Sequence, residues 1–62
     1  MSRLRRYVIT CQSGCQWLVL STTSGAALAD WPASAEPARN AWRASRADIH
    51  YLRRIGHADQ GA

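Results

Sequence analysis

The chain has 62 residues, 47% of them hydrophobic, with 8 basic side chains, all arginine, against 4 acidic ones. A chain this short removes only about 60% of its unfolded surface from water. That excludes a second domain, a large enzyme cleft and a buried cofactor cavity. The net charge of +4 favours an anionic partner: nucleic acid, an anionic membrane or an acidic protein face. Three tryptophans and a near-average apolar fraction argue against disorder.

Residues 1–5 read as a flexible basic arm. Arg3, Arg5 and Arg6 imitate the charged start of a secretion signal, but the apolar run over 7–9 stops at Thr10. Nothing approaches the roughly 18 apolar residues of a membrane span. The expected location is cytoplasmic, where cysteines stay as thiols or bind metal.

Residues 6–11 and 15–22 predict a β-hairpin, both runs being rich in β-branched and aromatic residues. Gln12-Ser13-Gly14 forms the loop, with Gly14 as the left-handed residue. This register sets Cys11 opposite Cys15, Ile9 opposite Trp17 and Tyr7 opposite Val19. Tyr7, Ile9, Cys11, Cys15, Trp17 and Val19 then share an apolar face. The mixed face holds Arg6, Val8, Thr10, Gln16, Leu18 and Leu20, and a partner or a second layer is expected to cover it.

Thr23 or Ser24 caps a short helix over 26–30, which Pro32 ends by forcing Trp31 out of the helical region. A second, longer helix is expected over 35–55, with Ser34 as N-cap, Glu36 and Pro37 in its first turn and Gly56 beyond its end. Trp17 and Trp42 are expected to pack together, with Trp31 roofing the core at a corner. Residues 56–62 read as a tail. The fold expectation is therefore α+β. A single domain over 6–55, of ββαα order, packs a hairpin against a short helix and a longer amphipathic one.

On that longer helix, Arg39, Arg43, Arg46, His50, Arg53 and Arg54 fall within an arc of roughly 100°. Guanidinium groups grip phosphates in two-pronged fashion, and few carboxylates stand within helical reach of this row. The reading is a non-catalytic nucleic-acid-binding module that contacts phosphates through Arg39, Arg43, Arg46, Arg53 and Arg54, helped by Arg3, Arg5 and Arg6. The alternative is a small interaction protein, an inhibitor or adaptor of the kind carried by phages and mobile elements, docked on an acidic protein surface. A small subunit of a larger assembly is a third reading. A homodimer through free sheet edges is compatible with each.

No cofactor is expected. Cys11, Cys15, His50 and His57 make a conceivable zinc set, but Cys-x3-Cys and His-x6-His depart from finger spacing. Asp30, Glu36, Asp48 and Asp59 are scattered, and no nucleophile has a neighbouring histidine, so no catalytic group is assigned.

Overall fold

The computed structural model describes residues 3–57. The elements are β1 (Arg5–Cys11), β2 (Gln16–Ser21), α1 (Ser24–Asp30), β3 (Ala38–Arg43) and α2 (Arg46–Arg54). The fold is α+β: a three-stranded antiparallel sheet of order β2-β1-β3 with two helices.

The hairpin forms in the expected register, with Ile9 opposite Trp17 and Tyr7 opposite Val19. Cys11 N–H donates to the Cys15 carbonyl at 2.8 Å, and Gly14 takes φ +95°, a left-handed conformation that glycine adopts without a Cβ clash. The Glu36 carboxylate ties down the loop by accepting from the Ser13 amide and hydroxyl. Glu36 thus braces a turn and does not open a helix.

The two faces of the hairpin build two separate clusters. Tyr7, Ile9 and Cys11 are buried on one face with Ala27 of α1, and Trp17, Val19, Trp31, Ala38 and Ala41 pack around them. Val8 and Leu18 are buried on the other face with Leu52 of α2, beside Ala44 and Ile49. One helix therefore covers each side of the sheet. On the mixed face the chain's own second layer covers Val8 and Leu18, while Leu20 stays exposed.

Thr23 is the N-cap of α1, its hydroxyl accepting from the Ala26 amide at 3.0 Å. Trp31 stops the helix in extended conformation before Pro32. Its indole N–H donates to the Glu36 carbonyl at 2.7 Å while the ring packs on the core, so the corner tryptophan is a roof.

The expected helix over 35–55 is not one helix. Residues 38–43 are strand β3, paired with β1 from Tyr7↔Arg43 to Cys11↔Ala38, with a register shift between Thr10 and Cys11 that makes Arg39 an extra residue. The physical reason lies in β1. In its pairing with β2 the odd-numbered residues face the partner, so the even-numbered backbone groups point the other way. With helices on both faces, those groups would be buried without partners. β3 satisfies them, as Ala44 N–H donating to the Arg6 carbonyl at 3.0 Å illustrates. Ser34 is accordingly not a helix cap. Trp42 pairs with Val8 and so lies on the α2 face, away from Trp17.

The helix that remains starts at a capping box. The Ser45 hydroxyl accepts from the Asp48 amide, and the Asp48 carboxylate accepts from the Ser45 amide, both at 3.1 Å. At the other end Gly56 takes φ +80°, Gly56 N–H donates to the Arg53 carbonyl and His57 N–H to the Leu52 carbonyl. These are the two bonds of a Schellman motif. Gly56 thus ends the helix as expected. It also turns the chain onto the outer edge of β2, where Leu18 N–H donates to the His57 carbonyl at 2.8 Å. Of the expected tail, residues 58–62 lie outside the described residues.

Candidate nucleic-acid interface

The row of five helical arginines is not formed. Arg39 and Arg43 belong to β3, while Arg46, Arg53 and Arg54 belong to α2. On α2 the helical wheel keeps Arg46, His50, Arg53 and Arg54 within roughly 100° of each other, on the flank turned away from Ile49 and Leu52. All four are exposed. Arg39 stands at the far end of β3, against a cleft shared with Leu28 and Trp31.

Strand pairing assembles a different group. β1 begins where β3 ends and α2 starts, so Arg5, Arg6, Arg43 and Arg46 meet at one end of the sheet. Arg43 pairs with Tyr7, which puts it on the same face as Arg5 and one diagonal step away, about 7–8 Å in backbone terms. Arg6 is opposite Leu20 on the other face; it is half-buried and has an interaction of its own. Arg3 precedes the strand, exposed beside Leu4. The arm residues and two of the expected helical ones thus converge through β-pairing. No helical periodicity predicts this, because the neighbours are 36 or more positions apart in the chain.

The acids are distributed the other way. Glu36 sits on the hairpin loop, at the opposite end of the sheet. Asp30 closes α1 next to Trp31, whose indole reaches the Glu36 carbonyl. Asp48 is at the basic end, but its carboxylate is engaged in the capping box. The Ser45 amide, assisted by the Ser45 hydroxyl and the Trp42 indole, outweighs partial desolvation and holds the Asp48 carboxyl below the usual carboxylate value. Asp59 lies outside the described residues.

The four candidate zinc ligands do not come together. Cys11 is buried under α1, whereas Cys15, expected on the same apolar face, is exposed because it precedes β2 at the loop. Burial first, then the charges of Glu36 and Cys15, push the Cys11 thiol above its ordinary pKa, which disfavours the thiolate that a metal needs. His50 is exposed on α2. His57 stacks on Trp17 at 4.1 Å and holds the Gln16 carbonyl through Nδ1 at 2.9 Å. Among the described residues, no group of three or more His, Cys, Asp or Glu side chains is placed to hold an ion. Among the same residues no helix is long and apolar enough to cross a membrane.

No family model, no curated protein and no solved structure matches this chain.

Proposed function

We propose that this chain is a small, non-catalytic nucleic-acid-binding module whose working surface is the basic end of the sheet. Arg3, Arg5, Arg43 and Arg46 supply the phosphate contacts. The observation that carries the reading is the β1–β3 register, which brings arginines from the two ends of the chain to one place while Asp30 and Glu36 lie elsewhere. Guanidinium groups gathered at one end of a sheet suit a phosphate backbone and read little base sequence. Arg53 and Arg54, at the far end of α2, are outside this patch.

Fluorescence anisotropy with a labelled 20-base-pair duplex, repeated across ionic strengths, tests it. Four neutralised phosphates give a log–log slope of about −3.6 on duplex and about −2.8 on single-stranded DNA. Arg43→Ala and Arg46→Ala each shallow the duplex slope by about 0.9, whereas Arg54→Ala leaves it unchanged. A slope indistinguishable from zero rejects the assignment.

A further inference from the structure

A sheet of order β2-β1-β3 has two outer edges. That of β2 is occupied, because the Gln16 carbonyl and the Leu18 amide are bound by His57. That of β3 has no neighbouring strand among the described residues. On β3 the even-numbered residues bond to β1, as the Ala44 amide does, so Ala41 and Arg43 turn their backbone groups outward. The Ala41 amide is met by the Oδ1 atom of its own neighbour, Asn40, at 2.9 Å. Beside this edge, where α1 ends and β3 begins, an open cleft of about 400 Å³ is lined by Leu28, Trp31, Pro32, Ala35, Ala38 and Arg39.

Charge selects the occupant. If β3 paired antiparallel with β3 of a second copy about Ala41, Arg39 would face Arg43 across each strand pair. Like charges directly opposite destabilise a sheet, so self-pairing is disfavoured. A strand with carboxylates four positions apart reverses the sign at both sites. The side chain between those carboxylates lies beside Ala41, a small residue packed against the α1-side cluster.

We propose that the outer edge of β3 receives an extended acidic segment of a partner protein as a fourth strand, its apolar side chain seated against Leu28 and Trp31. Backbone bonds to Ala41 and Arg43 supply the attachment, and Arg39 with the cleft supplies the selectivity. Asn40 is a built-in competitor, holding the amide that the incoming carbonyl must take. The surface shares Arg43 with the proposed phosphate patch, whereas Arg39, Asn40, Ala41 and the cleft lie outside that patch.

The probe is a fluorescein-labelled peptide, acetyl-Thr-Glu-Thr-Leu-Thr-Glu-Thr-amide, titrated with the full chain and followed by anisotropy and by amide shifts. Saturable binding with shifts centred on Ala41 and Arg43 is expected. Arg39→Glu weakens it about fivefold, and Asn40→Ala tightens it about threefold by removing the competitor. Both sites are exposed, so neither change disturbs the core. A peptide with lysine in place of glutamate, or with an N-methylated leucine, does not bind. Equal binding by either peptide overturns the proposal, and so do shifts confined to α2. Shifts at Ala41 on titration with oligothymidylate alone, or a dimer in sedimentation that protects the Ala41 amide, overturn it as well.

Discussion

Ser45 and Asp48 exchange two hydrogen bonds across the first turn of α2, and the exchange fixes where a strand becomes a helix. Without it, four helical amides at the start of α2 lack partners. Ser45→Ala removes the hydroxyl acceptor and is expected to destabilise the domain by about 1 kcal/mol, measured by urea denaturation. The same pair sets a pH dependence. Folding holds the Asp48 carboxyl below its unfolded pKa, so the unfolded chain binds the proton more readily. The stabilisation is complete above the ordinary carboxylate range and fades as pH falls through the lowered folded value. A urea midpoint that declines on acidification more steeply in the wild type than in Asp48→Asn is the expected result. Equal acid slopes would contradict it.

His57 acts at the scale of an element, as the cover of an edge strand. Its carbonyl and its ring together engage the Leu18 amide and the Gln16 carbonyl, while the ring lies flat on Trp17 at 13°. A carbonyl only accepts, so the Nδ1 facing Gln16 carries the hydrogen. Exposed edges recruit other chains, and covering one with the end of the preceding helix is an economical solution. His57→Ala keeps the backbone bond but loses the ring contact and the Nδ1–H bond, together about 1–3 kcal/mol. Hydrogen exchange should show the Leu18 amide opening faster than that of Ile9 in the central strand, and unchanged protection of Leu18 would refute the role. β3 manages its edge differently, with a bulge, exposed arginines and the Asn40 side chain on the Ala41 amide. Arg39 and Arg43 would meet like charges in self-pairing, and the acidic strand proposed above would use the same edge.

At the scale of the molecule, β1 is common property. Ile9 belongs to the cluster under α1 and Val8 to the cluster under α2, so neither layer is a separate unit. A core this small supplies only about 3–5 kcal/mol, and Leu52 is 1% exposed. Leu52→Ala, which empties part of the α2 side, removes about 2–5 kcal/mol. The whole domain is expected to unfold with it. In thermal melts, the fluorescence of Trp17 on the opposite face and the far-ultraviolet helical signal should shift down together. A Trp17 transition that stays at the wild-type temperature would show the layers to be independent.

Local chemistry is what the amino-acid order specifies here. Alternation and Gly14 set the hairpin register, Thr23 and Pro32 bound α1, and Gly56 with Arg53 and Arg54 marks the end of α2. The signals for these lie within a few residues of one another. The third strand was not legible that way. Its alanines, arginines and asparagine suit a helix as well as a strand, and the Ser45-x-x-Asp48 box was the one local sign of a break at that point. What made 38–43 a strand was the need of β1, 27 or more positions earlier, for partners on its second side once both faces were covered. The same pairing moved Arg43 from a helical row to the side of Arg5 and put Trp42 on the face opposite Trp17. Short-range steric and capping preferences can be read along the chain. Backbone satisfaction across a buried sheet depends on which segments meet, and that exists only once the chain has folded.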